Sequence, residues 1–282
     1  MIKIIVKIVL WTTLLVSSWL SAQNFQGIAT YETKTIFEGT IKMGGDTDPV
    51  MQKKIEESLK SAFEKKYILM FNTSESLYKE EEKLEAPQQN SFGLAMSFSG
   101  GGDVLYRNIK ENQSIEEQEF FSKEFLVIDP LEKLDWVISN ENKKIGNYNC
   151  MKATLIFPVT QEQLDNHEKM KAKQEKNPTQ FMTLKEPKDR IVEAWFTMDI
   201  PVSHGPAQFW GLPGLIMEVH DGNTIYLCSK ITLNPKEKFN IKKPKSGQKV
   251  SKKEYETIVE KKLESMKDSN GNIRIETIHI GG

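Results

Sequence analysis

A succession of short stretches in which apolar and polar residues alternate, each bounded by turn formers, constrains this chain's fold more than any other feature. Between Phe25 and Phe37, Phe25, Ala29, Tyr31 and Phe37 fall on one side and Gln26, Thr30, Glu32 and Lys34 on the other. That is the period of a half-buried strand. Comparable strands are expected at 67–71, 76–79, 104–109, 125–128, 134–139, 149–157, 191–197, 215–219, 225–233 and 273–280. Turns such as Asn140-Glu141-Asn142 and Asp221-Gly222-Asn223 join them. A doubly wound α/β fold needs strands and helices in regular alternation, and this chain has none. The expected class is mainly β (α+β), a curved antiparallel sheet of the open half-barrel kind with two or three packed helices.

Three segments read as helices. Asp48-Pro49 supplies an N-cap and a first-turn proline, followed by Met51, Ile55, Leu59 and Ala62 on one stripe. Residues 160–176 are almost wholly polar, with Leu164 and Met170 to bury, and read as a solvated excursion between strands. Ser251-Lys252-Lys253-Glu254 is a capping box ahead of Tyr255, Ile258, Val259, Leu263 and Met266, a stripe that has to pack on something. With no internal repeat and no linker-like stretch, a single domain over 23–282 is expected.

The first 22 residues have the grammar of a secretory signal. Lys3 and Lys7 precede an uncharged run from Ile8 to Leu20, and Ser21-Ala22 offers a cleavage site. The run is shorter than the roughly 20 apolar residues of a spanning helix. No cysteine follows it to accept a lipid, so an exported, unanchored periplasmic or secreted chain is expected. A net charge of −1 argues against a dedicated nucleic-acid binder.

Catalytic spellings are missing. Ser99-Gly100-Gly101-Gly102-Asp103 lacks the Gly-Lys-Ser/Thr of a phosphate loop and reads as a turn. There is no nucleophile elbow and no zinc-binding cysteine pair. No catalytic residue, metal site or cofactor is therefore assigned. The four histidines are His167, His204, His220 and His279. His204 and His220, close in sequence to Asp199, Glu218 and Asp221, could do acid–base or metal work as a periplasmic hydrolase. Glu218 and His220 also alternate with Met217 and Val219, as the polar side of a strand does. Cys150 shares a face with Lys152 and Thr154, and Cys228 with Tyr226 and Lys230, so both thiols are expected to point away from the apolar side. In an oxidising compartment they either pair as a disulfide, closing a long loop worth roughly 4–5 kcal/mol in the chain-entropy model, or stand apart. Lys242, Lys243, Lys245, Lys249, Lys252 and Lys253 read as a solvated loop leading into a helix, with anionic lipid or polysaccharide as the alternative.

One segment carries a resemblance. Residues 205–216 read Gly-Pro-Ala-Gln-Phe-Trp-Gly-Leu-Pro-Gly-Leu-Ile. Upstream lie Leu134-Asp-Trp136, then Lys144-Ile-Gly-Asn-Tyr-Asn-Cys150-Met-Lys-Ala153, and Glu193-Ala-Trp195-Phe-Thr197. Between Trp136 and Leu233 the chain resembles the GLPGLI family of secreted Bacteroidetes proteins, the Porphyromonas gingivalis type. The resemblance implies export to a Gram-negative envelope and supplies no catalytic residues. It leaves room for a protein partner, an apolar ligand, or a structural role beside an outer-membrane receptor.

In the signature itself, Pro213 fixes φ and Gly214 allows positive φ, so a type II turn is expected, with Gly211 and Gly214 permitting close backbone approach. Two roles are open. The segment is a buried corner that locks its loop onto the sheet, or an apolar lip built from Trp195, Phe209, Trp210, Leu212, Pro213 and Leu215 that receives a ligand or partner.

Overall fold

The computed structural model describes residues 25–36, 64–81, 104–176 and 186–266. The expected leader at 1–22, the helix from Asp48, the Gly100 turn and the strand at 273–280 lie outside them. In chain order the elements are β1 (Gln26–Thr35), β2 (Glu64–Asn72), β3 (Glu75–Glu80), β4 (Val104–Asn108), β5 (Gln113–Phe120), β6 (Lys123–Pro130), β7 (Val137–Ile145) and β8 (Tyr148–Phe157). There follow α1 (Gln161–Lys176), β9 (Arg190–Thr197), β10 (Leu215–Asp221), β11 (Thr224–Leu233), β12 (Gln248–Val250) and α2 (Lys252–Ser265). The strands make one 12-stranded sheet in the order β12-β6-β5-β4-β3-β2-β1-β11-β10-β9-β8-β7, which does not close into a barrel. The fold is mainly β, as expected. The sheet is mixed rather than purely antiparallel, because β12 pairs parallel to β6.

Two strands escape the alternation rule. Residues 113–120 offer only Ile115 and Phe120 as large apolar groups among glutamates and glutamines, yet they form β5, paired on both sides by β4 and β6. Neighbours on both edges satisfy the backbone, and burial is heavy enough to push the Glu116 carboxyl above its usual range. β12 is three residues long, too short to show a period. A third difference concerns Asn140-Glu141-Asn142. It is not a turn but the middle of β7, where the register shifts between Ile138 and Asn142. The reversal comes later, at Gly146, whose φ is +57°.

Contacts divide the described residues into two compact units, one holding 25–27, 70–81, 104–132 and 233–266, the other holding 28–36, 64–69, 133–176 and 186–232. Both are discontinuous in sequence, so no linker composition marks them. In the first unit Leu77, Tyr106, Ile115 and Leu126 form one buried cluster. Phe120, Phe125, Val127 and Val250 form another, on which α2 lays Tyr255, Ile258, Val259 and Leu263. The capping box forms as spelled: Ser251 N–H donates to Glu254 Oε2 at 2.7 Å, and Glu254 N–H donates to Ser251 Oγ at 3.3 Å. Those bonds hold the Glu254 carboxyl below its usual range.

The second unit is built on β1 and β7–β11. β1 buries Ala29, Tyr31 and Thr33 in strict alternation, and the Tyr31 hydroxyl donates to the Ile216 carbonyl at 2.6 Å. The core of this unit joins Ala153, Leu155, Val192, Ala194, Phe196, Ile216 and Val219 from three adjacent strands to Phe209 and Leu212 of the β9–β10 connection. α1 keeps Leu164 and Met170 exposed, as its polar composition implies.

Candidate binding face around Trp195

The aromatic and signature residues, the two cysteines, His204 and His220 all lie in the second unit, and the Lys242–Lys253 stretch in the first. The β9–β10 connection turns back on itself. Leu215 N–H donates to Ile200 O at 2.9 Å, Gly211 N–H to Ser203 O at 3.1 Å, and Ile216 N–H to His204 O at 3.1 Å. This arrangement drives Phe209, Leu212, Leu215 and Ile216 to near-zero exposure. Phe209 meets Trp136 with ring centroids 6.3 Å apart and Tyr226 at 5.9 Å. The Trp136 indole N–H donates to the Trp210 carbonyl at 2.8 Å, tying the segment before β7 to the connection.

The two signature glycines divide the expected roles: close approach holds at Gly214 and not at Gly211, and the positive φ expected of Gly214 is not there. The positive φ belongs to Gly211, at +92°, with nothing within 4 Å of where a Cβ would stand. Gly214 does not have positive φ. A Cβ there would press on the Thr197 carbonyl, with its carbon at 2.6 Å, so this position needs glycine for close approach and the type II turn reading is not upheld. Of the six residues of the apolar lip, Phe209, Leu212 and Leu215 are core, Trp210 is half-buried and Pro213 is exposed.

Trp195 is elsewhere. It alternates with the fully buried Ala194 and Phe196 and therefore faces the other side of the sheet. Its register partners are Lys152 on β8 and Glu218 on β10. The Lys143 ammonium lies 4.3 Å from the ring centroid and that of Lys152 6.0 Å, within cation–π range. Glu218, nearly buried at 12% side-chain exposure, accepts from Lys143 Nζ at 2.7 Å, and His220 Nε2 lies 2.5 Å from the same oxygen. Lys152 Nζ pairs with Glu193 at 2.9 Å and with Glu141 at 3.5 Å. The hydrogen bond to Glu193 leads the causes that raise the Lys152 pKa. The neighbouring surface is apolar: Ile156 and Ile191 are register partners, each 54% exposed, and Val137, opposite Thr154, is 67% exposed. Leu227, opposite Glu218, adds a further exposed apolar side chain.

Lys143, Lys152 and Glu193 were not singled out from the sequence. Their signal was the alternation of four consecutive strands, which puts Lys152, Glu193 and Glu218 on the polar side. Only the register shows that they meet.

His204 and His220 do not share a site. The His204 ring is buried, its backbone carbonyl beside Ile216, whereas His220 lies four residues further along β10, roughly 13 Å at the rise of a strand. Among the described residues, no group of three or more His, Cys, Asp and Glu side chains could hold a metal ion.

Cys150 and Cys228 are both free, buried thiols, on strands separated by β9 and β10. A disulfide needs Cα atoms within about 7 Å, so the structure does not form the expected bridge. Cys150 lies on the Trp195 side as expected. Cys228 instead shares its side with Tyr226, which packs on the core. Burial pushes the Cys150 thiol up to about 11 and Cys228 up to about 12, with Cys150 adding a smaller push to the latter. Both are protonated near neutrality and poor nucleophiles.

Among the described residues, two cavities have mixed polar and apolar linings. One of about 500 Å³ lies along α1 beside Leu164, His167 and Glu186, and one of about 180 Å³ lies among Glu117, Glu119, Glu124 and Ser246. Neither resembles an apolar ligand pocket.

Residues 136–218 match the Porph_ging family. Its description is that of a protein of unknown function. The Porph_ging match runs from Trp136 to Glu218, taking in the signature, Lys143, Lys152, Glu193 and Trp195, and ending two residues before His220. It agrees with the resemblance read from the signature. No curated protein matches the chain. Among solved structures, two crystal forms of PNGF-II are similar to it, with TM-scores of 0.48 and 0.47 at 15% identity, covering 85% and 84% of this chain. The chain spans about a third of those chains, 33% and 34%.

Proposed function

We propose that this is an exported, extracytoplasmic binding protein of the cell envelope that performs no chemistry and receives a protein partner on the Trp195 face. The observation that carries the reading is the register pair Ile156 and Ile191, exposed beside Val137 on the side of the sheet where, four residues along β9, the Trp195 ring is held by two lysines. Contiguous exposed apolar side chains bordered by ordered charges mark interaction surfaces. The Porph_ging match covers this face, and the secretory grammar of residues 1–22 supports an envelope location. Among the described residues no helix is long and apolar enough to cross a membrane.

A photo-cross-linking residue placed at Ile191 in cells, with Lys230 as an exposed control, tests this. Expected is a discrete adduct in the envelope fraction from position 191 and none from position 230. Identical patterns from both positions would remove the proposal.

A further inference from the structure

We infer that the partner on the Trp195 face is a second copy of this chain, an inference that rests on the binding reading above. Strand register carries it. Lys152 lies opposite Trp195, Thr154 opposite Glu193, and Ile156 opposite Ile191, all across the β8–β9 boundary. A two-fold axis running along the strands at that boundary places β8 of one copy over β9 of the other. Ile156 then covers Ile191 of the second copy, and the reverse, so that two half-exposed pairs become one apolar contact. Lys152 comes over Trp195 of the second copy.

Charge follows the same axis. The cations Lys143 and Lys152 are on β7 and β8, with Glu141 of β7 beside Lys152, and the carboxylates Glu193 and Glu218 are on β9 and β10. The two-fold therefore sets the lysine side of one copy over the carboxylate side of the other, which is self-complementary. Edge-to-edge pairing through β7 is the competing geometry. It is disfavoured by the register shift between Ile138 and Asn142 and by Lys143 and Lys144 in the edge strand, both devices that keep strand edges apart. The occupied surface is thus the face and not the edge.

The patch is small. Four strands about 4.8 Å apart and about seven residues long give a flat footprint of roughly 450 Å² per copy, below the roughly 800 Å² of a standard stable interface. The dimer is accordingly weak and concentration-dependent.

Sedimentation velocity of the full mature chain over a concentration series tests it. The expected result is a weight-average mass rising toward twice that of one chain, abolished by Ile156→Glu with Ile191→Glu at unchanged melting temperature. Mixing an Ile156→Cys chain with an Ile191→Cys chain under mild oxidation is expected to give a disulfide-linked dimer, which neither chain gives alone. A wild-type mass that stays at one chain throughout overturns this inference while leaving partner docking to the cross-linking test. Self-association that survives both glutamates, or equal linkage in the unmixed chains, also overturns it.

Discussion

Replacing Gly214 with alanine is expected to damage this protein more than any other single methyl in the signature. The added carbon would sit 2.6 Å from the Thr197 carbonyl carbon and 3.1 Å from Met198 N, pressing hardest on the Thr197 oxygen. These are backbone atoms and cannot rotate away. Relief requires parting β9 from β10 where Leu215 pairs with Thr197, next to the Leu215 N–H bond to Ile200 O. Overpacking of this kind costs about 1–3 kcal/mol, and loosening a backbone hydrogen bond adds about 1 kcal/mol. A loss of about 3 kcal/mol corresponds to a fall in melting temperature of about 6–12 °C for a chain of this size. Gly211→Ala is the internal control. It meets no atom within 4 Å and is penalised only for its φ of +92°, at about 1–2 kcal/mol. Thermal and urea melts of both variants decide the matter. If Gly211→Ala proves equal to or worse than Gly214→Ala, the assignment of close approach to one glycine and dihedral freedom to the other is wrong.

Other expectations follow from the same geometry. Because burial raises both thiol pKa values above the ordinary value near 9, folding favours the protonated forms. Their stabilisation is whole below that pH and is lost as pH climbs through about 11 for Cys150 and 12 for Cys228. Each contributes about 1.4 kcal/mol per pH unit to that loss. Cys228→Ala should flatten the alkaline slope in urea melts, and a thiol reagent without reductant should find two thiols only after unfolding. Lys143→Met takes the ammonium from the nearly buried Glu218 and leaves it its contact with His220. It should cost about 1–3 kcal/mol, as for a buried acceptor that loses its donor, and shift the Trp195 indole N–H resonance, with an unmoved resonance counting against the cation–π contact. Ser251→Ala removes one half of the capping box and should cost about 1 kcal/mol, with faster amide exchange confined to the start of α2.

Period and punctuation made much of this fold legible. Alternation found β1, β8 and β9 because each has one dry side and one wetter side, and the Ser251–Glu254 box located α2 because capping is local chemistry. Local rules fail where the backbone is satisfied by distant neighbours. β5 is a strand because β4 and β6 flank it, and Asn140-Glu141-Asn142 lies inside β7 because β8 pairs with the residues on either side of its irregularity. Legible in the residues alone were a strand-rich chain and a glycine-dependent corner carried by the signature. Only the tertiary structure decided which glycine does which work, and that Phe209 and Leu212 are core while Trp195 faces the other side. It also separated the two histidines, kept the two thiols apart, and brought Lys143, Lys152, Glu193 and Glu218 together. Register, which couples residues tens of positions apart through backbone hydrogen bonds, is the physical reason: strand periodicity gives the side a residue faces but not what lies opposite it.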